Sequence, residues 1–508
     1  MRTHRVLPPL SVLLLAVTLH ADVRCALPFS DHMVLQRDRP VNVWGEAAPG
    51  EAVTVAFAGQ ERHTVASDAG RWAVVLDPMP ASADPRTLTV TGRNTVTFTD
   101  VLVGEVWLCS GQSNMEKPLG PRAGQKPTDD YEAEVRRADE PQLRLFEVPW
   151  WAEPKAGVTA LRWVRCTPET VMSTDFSAAA YYFGRELVRE LGVPVGLIHS
   201  SFGGTQIEAW MPAAAFASDP ALRDLVNVHY FAWVKGVQPT ELYQSMIVPL
   251  EPYTLRGFLW YQGESNVMQA DGAIYTAKQR ALIDSWRAAW GEPDAPFYYV
   301  QIAPFDYSRW DKFARLLTPE ALPRFWAAQT AGLAVPHTGM VVTTDLVRNF
   351  HDIHPTDKRD VGLRLARLAL TDTYGRHDLL AVSPQFVAMD VKSDGRVELR
   401  FRDAGTGLAS RDGRPLDDFT IAGPDRRFVP AQAAIAGADR VIVSSPQVPR
   451  PVAVRFAWDE TANPNLVNSA GLPAISFRTD HWPVIAVRPK PVEAAPAQPA
   501  STPTAPKT

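Results

Sequence analysis

The sequence predicts an α/β domain built on a parallel sheet, flanked on both sides by smaller β-sandwich-like domains. Three observations predict it. Residues 27–100 carry short runs in which apolar and polar residues alternate, separated by Gly- and Pro-containing turns. Residues 101–376 alternate short apolar runs with longer amphipathic ones, the pattern of strands crossing over through helices. From 377 to 487 short β-type runs return.

The elements follow in order. Arg2 and Arg5 precede the apolar run Leu10–Leu19, which is too short to span a bilayer and reads as a secretory signal over residues 1–26. Cleavage is expected near Ala21 or Ala26, and the mature chain is expected to be exported, soluble and without a membrane span. The N-terminal β-sandwich, 27–100, has candidate strands Val41–Trp44, Ala52–Phe57, Trp72–Leu76 and Thr87–Thr91, with turns at Pro49-Gly50 and Asp68-Ala69-Gly70. In the α/β domain, 101–376, the candidate strands are Val101–Cys109, Leu143–Val148, Val193–His199, Leu255–Trp260, Pro296–Ile302 and Gly339–Thr344. Its candidate helices are Ala178–Leu191, Ala273–Trp290, Pro323–Leu333 and Thr356–Tyr374. The C-terminal β domain shows Val397–Phe401, Arg440–Ser444 and Val452–Phe456. The tail, 488–508, is rich in Pro, Ala and Thr and cannot form a core.

Lys and Arg number 51 against 56 Asp and Glu, a net charge of −5 with no basic stripe, which argues against a nucleic-acid partner. Fifteen Trp suit a protein that stacks on sugar rings, and suit an ordinary core equally well. In an exported chain Cys109 and Cys166 can pair, or remain buried thiols on neighbouring strands.

Chemistry concentrates at the ends of the predicted strands, where parallel sheets bind ligands. The run Trp107-Leu-Cys-Ser-Gly-Gln-Ser-Asn-Met115 is a strand that stops at a tight turn and presents Ser113 where a helix can begin. A serine placed there exposes its hydroxyl, and its own amide faces whatever the hydroxyl attacks, as acyl transfer needs. Three later segments supply matching parts: Ser200-Ser-Phe-Gly-Gly-Thr-Gln-Ile-Glu-Ala-Trp210, Trp260-Tyr-Gln-Gly-Glu-Ser-Asn266 and His351-Asp-Ile-His-Pro-Thr-Asp-Lys358.

Together these four motifs resemble the sialate O-acetylesterase family of the SGNH hydrolases. The resemblance runs from His32-Met-Val-Leu-Gln-Arg37 to the helix after His354. It implies a flavodoxin-like parallel sheet and a serine esterase that needs no cofactor or metal. The implied partner is an O-acetylated sugar or polysaccharide. Ser113 is then the nucleophile and His354 the base, on a loop because Pro355 follows it. Asp352 is the acid that orients the imidazole, although the wider superfamily places the acid one residue earlier, where His351 stands here; Asp345 or a backbone carbonyl are the alternatives. The oxyanion hole falls to the Ser113 amide, to Gly204 of the Gly203-Gly204 pair, and to the Gln262 side chain, with Asn266 competing; Glu264 would orient the loop or cap a helix.

Other classes compete. A metal-dependent hydrolase would use His351, Asp352 and His354, but no second ligand cluster completes such a site. A glycosidase would use Glu208 and Glu264 and leave the serine turn without a task. A non-catalytic sugar-binding protein would leave a full set of triad residues unused. Trp210, Trp260 and Tyr261 are candidates for a sugar platform and, each taken singly, for core. Acetylated xylan or xyloglucan is an alternative substrate for the same mechanism.

Overall fold

The computed structural model describes residues 22–149, 161–227, 237–310 and 317–482. Most of the predicted signal and the whole predicted C-terminal tail lie outside the described residues. At the centre is a sheet of seven strands: β1 (Thr95–Gly111), β2 (Glu140–Glu147), β3 (Trp163–Cys166), β4 (Val195–Ser201), β5 (Gly257–Tyr261), β6 (Phe297–Val300) and β7 (Thr338–Val341). Their order is β3-β2-β4-β1-β5-β6-β7, and every neighbouring pair is parallel except β3 with β2. Setting aside the edge pair β2 and β3, the strands run second-first-third-fourth-fifth, the flavodoxin-like doubly wound order.

The reason β1 lies at the centre is visible in its composition. Every residue from Val101 to Gly111 is buried, as a parallel strand covered on both faces requires. Its first residues, Thr95–Asp100, alternate exposed and half-buried and pair with Ser82–Thr91, so one continuous strand leaves the N-terminal β structure and enters the central sheet. Glu105 on this strand is fully buried and held by Arg37 and Arg256; their guanidinium groups keep its carboxyl below the usual range despite burial, which pushes the other way.

Helices α1 (Ala178–Leu191), α2 (Tyr275–Trp290), α3 (Ala321–Ala331) and α4 (Arg359–Asp372) cover the sheet. Ser177 caps α1 by accepting the Ala180 amide, and Gly192 ends it in the left-handed region. The helix expected to start near Thr356 begins at Arg359, because the Asp357 carboxylate takes the Asp360 amide at 3.0 Å and holds the preceding residues in a turn.

Val23 is buried in the N-terminal β structure, and Arg24–Cys25 pair with Gly45–Glu46. Beyond the α/β region, Gln385–Val391, Val397–Arg402, Arg440–Ser444 and Gln432–Ile435 form one antiparallel sheet. A second joins Phe428–Pro430, Phe419–Ala422, Ala453–Phe456 and Phe477–Arg478. Cys109 and Cys166 are free, buried thiols. The expectation that they sit on neighbouring strands is corrected: β1 and β3 are separated by β4 and β2.

Candidate active site

β1 ends at Gly111, Gln112 remains extended, and Ser113–Glu116 form a single helical turn. The Gln112 amide donates to Tyr261 O at 3.0 Å, tying the turn to the end of β5, and Gln112 O accepts the Met115 and Glu116 amides. The Ser113 amide is left with no protein acceptor among the described residues, as an oxyanion donor must be.

His354 reaches the nucleophile directly. Its Nε2 lies 2.9 Å from Ser113 Oγ across 241 residues of sequence. Asp352 lies on the same loop, where its Oδ1 accepts the His354 main-chain N–H at 3.0 Å. In this arrangement the carboxylate fixes the loop that carries the imidazole. Asp345, the alternative acid, is taken up in a two-pronged ion pair with Arg364 at 2.7 and 2.6 Å. His351 points elsewhere: its Nδ1 sits 2.6 Å from Asp306 Oδ2 and its side chain is mostly exposed. The three residues that would have formed a metal site therefore serve three different partners.

The surroundings of His354 are cationic. Burial, Lys358 and Lys117 lower its pKa to about 4, against a smaller upward pull from Asp352. The ring is neutral at ordinary pH, the form that can accept the Ser113 proton.

The two glycines at the end of β4 have separate tasks. A Cβ on Gly203 would fall 3.1 Å from Ser113 Cβ and 2.8 Å from Glu116 Oε2, so only glycine lets this loop approach the nucleophile. The Gly203 amide donates to Glu116 Oε2 at 2.8 Å, and Glu116 is held in turn by Arg122. Gly204 adopts φ +75°, and its amide has no protein acceptor among the described residues.

Gln262 lies at the same strand ends, fully buried. Its Nε2 is 3.0 Å from Thr205 O, 2.7 Å from Asn266 Oδ1 and 3.1 Å from Gln112 Oε1, while Tyr275 donates to its Oε1. These bonds tie the β5 loop to the glycine loop and the serine turn. Asn266 is likewise engaged, donating to Glu208 and Asp271. Glu208 forms a buried ion pair with Lys278, and Glu264 accepts from Asn114 at 2.5 Å, so the glycosidase pair is bound up in the scaffold. Trp210, Trp260 and Tyr261 are buried to within 1% of full cover, so each packs in the core, the role it has taken singly, and none offers a sugar platform.

Two participants were missed in the sequence. Asn114 and Lys358 both lie inside quoted motifs, but nothing in their spacing showed that they meet: Lys358 Nζ donates to Asn114 Oδ1 at 2.7 Å.

A doubly wound sheet with a serine–histidine pair at its switch point defines a serine hydrolase of the SGNH type. The comparisons narrow this. Residues 103–371 match the carbohydrate esterase family described as sialic acid-specific acetylesterase. Human sialate O-acetylesterase is 31% identical over 400 residues, 71% of this chain and 73% of the human protein. The mouse enzyme is 28% identical over 500 residues, covering 86% of this chain and 89% of its own length. A crystal structure of a carbohydrate acetylesterase from Xanthomonas citri superposes with a TM-score of 0.78 at 38% identity, over 90% of this chain and 100% of that one. The chain belongs to the sialic acid-specific acetylesterase family of carbohydrate esterases, and it is a carboxylic ester hydrolase acting on acetylated carbohydrate.

Proposed function

We propose that this enzyme removes O-acetyl groups from sialic acid-type sugars, with Ser113 as nucleophile, His354 as base and Asp352 as the group that orients it. The observation that carries the mechanism is the 2.9 Å contact between Ser113 Oγ and His354 Nε2. As Ser113 Oγ attacks the acetyl carbonyl, its proton passes to His354 Nε2. The oxyanion that forms receives the amides of Ser113 and Gly204, with Gln262 as the third donor or as the tie that holds the other two in place. Collapse breaks the bond to the sugar oxygen, which takes the proton from the imidazolium to leave as the free hydroxyl, and acetyl-Ser113 remains. Water, deprotonated by His354, then releases acetate and restores the serine.

Two features support an acidic sugar. The human and mouse relatives named above are sialate O-acetylesterases, and the charges that act most on His354 are the cations Lys358, Lys117 and Arg122, opposed by Asp352. A sugar carboxylate is favoured beside such a cluster. Acetate release from O-acetylated sialic acid should exceed that from acetylated xylan or xyloglucan by at least about tenfold in kcat/KM, a difference of about 1.4 kcal/mol. Equal or reversed preference would assign the enzyme to neutral glycans. Ser113→Ala should lower turnover on either substrate by roughly 10⁶-fold.

The export reading is part of this proposal. Because Val23 is buried and Arg24–Cys25 form a strand, cleavage after Ala21 leaves the fold whole, whereas cleavage after Ala26 removes a packed edge. N-terminal sequencing of exported protein should begin at Asp22; a start at Leu27 or an uncleaved chain would refute it.

A further inference from the structure

A cation stands against Asn114, the residue after the nucleophile. Lys358 is fully buried four residues after His354. Its ammonium donates to Asn114 Oδ1 at 2.7 Å and lies 5.1 Å from the centre of the Tyr261 ring. Asn114, next to the nucleophile and itself fully buried, faces three ways. Its Nδ2 donates to Glu264 Oε1 at 2.5 Å and to Ile353 O at 3.0 Å, the carbonyl one residue before His354. One amide therefore joins the serine turn, the histidine loop and the β5 loop, with a cation at one end and a carboxyl at the other.

We propose that Lys358 is a positioning residue for this reaction: clamped on Asn114, it locks the Ser113 turn to the His354 loop and holds a buried positive charge between the two. The proposal rests on the reading of Ser113 and His354 as nucleophile and base. A buried lysine with a single neutral acceptor is expensive, and an apolar side chain of similar length would fill the space without desolvating a charge. What an apolar replacement could not supply is the field at the imidazole and the donor for Asn114. Ser113 meets the His354 ring, and the charges that act on that ring are Asp352 and Lys358 from its own segment and Lys117 and Arg122 from the segment that follows β1. Lys358 meets Asn114 and the Tyr261 ring, and the charges that act on it are Lys117, Glu264, Asp357 and Asp352. Lys358 is the cation with the largest influence on His354, ahead of Lys117 and Arg122.

The signs follow. Burial brings the Lys358 pKa down only to about 7, so it carries its proton throughout the range around pH 4 in which His354 titrates. The cation therefore opposes protonation of the base over that range.

The test is the pH dependence of kcat/KM for 4-nitrophenyl acetate, whose acid limb reports the free enzyme's base. K358Q removes the charge and keeps a donor for Asn114; K358M removes both. In each the acid limb should move up by about one pH unit, since one nearby like charge has gone. N114A keeps the charge and cuts the clamp, so its limb should stay at the parent's pH while plateau kcat falls about tenfold or more. A limb that stays put in both lysine variants, with only a lower Tm, makes Lys358 a structural filler and overturns the proposal. Should neither lysine variant fold, an N114A enzyme with the parent's plateau kcat overturns it instead. A fully active Ser113→Ala enzyme would mark a different failure, that of the underlying catalytic reading.

Discussion

Replacing Gly203 by alanine places a methyl carbon 3.1 Å from Ser113 Cβ, 3.5 Å from Ser113 Cα and 2.8 Å from Glu116 Oε2. Carbon atoms rest at roughly 3.5–4.0 Å, so the serine or the glycine loop must retreat by about half an ångström. Glu116 cannot simply swing clear, because its carboxylate binds the Gly203 amide and Arg122. The serine is pinned too, through the Gln112 amide on Tyr261 O and through Asn114. The strain therefore falls on the 2.9 Å gap between Ser113 and His354 and on the aim of the neighbouring Gly204 amide. A misplacement of about 1 Å near reacting atoms costs on the order of 10²-fold, so Gly203→Ala should lower kcat by roughly 10- to 100-fold. KM should stay within about threefold, since the methyl meets the nucleophile rather than the sugar. Overpacking should also lower stability by about 1–3 kcal/mol, so initial rates on 4-nitrophenyl acetate must be read well below the variant's Tm. A kcat within about twofold of the parent, with Tm lowered, would refute the claim that this glycine sets the approach to the nucleophile.

Activity should persist in acid and fail as pH drops through about 4, where His354 takes up its proton; a kcat/KM limb near the ordinary histidine value of 6.5 would show that neither burial nor the nearby cations depress it. The same shift sets a stability trend. The unfolded chain binds that proton below about 6.5 and the folded one only below about 4, so His354 makes folding less favourable as pH falls through that window, which urea midpoints at several pH values would read. Asp352→Asn should cost up to about 10⁴-fold in kcat if its carboxylate acts on the imidazole during turnover, and far less if it only braces the loop through the His354 amide; a variant with parental kcat and Tm refutes both roles. Gln262→Ala should lower kcat about 10²- to 10³-fold with little change in KM if its amide turns to the oxyanion, and should lower Tm as well because three buried bonds are lost; raised KM at unchanged kcat would make it a sugar ligand instead.

Much of this architecture is legible along the chain because it is a matter of period and punctuation. The run from Val101 to Cys109, apolar but for Gly104 and Glu105, reads as a strand covered on both sides. The helix Ala178–Leu191 begins after a capping serine and stops at a glycine, and it has those bounds in the fold. The serine turn and the loop histidine are legible for the same reason: a strand-ending Gly-Gln-Ser and a His-Pro restrict their own backbone wherever they occur.

What only the tertiary structure decided is which groups meet. Cys109 lies on a strand that local pattern predicts and Cys166 on one that it does not, and strand order puts two further strands between them. Glu208 and Glu264 are the pair a glycosidase would use, but Lys278 claims one and Asn114 the other. Gln262 reads as a donor facing substrate, and the fold engages its amide with Thr205, Asn266 and Gln112. Asn114 and Lys358 stand 244 residues apart and carry no local mark of each other. Periodicity is a property of neighbours in sequence, and it determines which residues turn inward. Hydrogen bonding and charge are properties of neighbours in space, and their partners exist only once the sheet has brought the strand ends together.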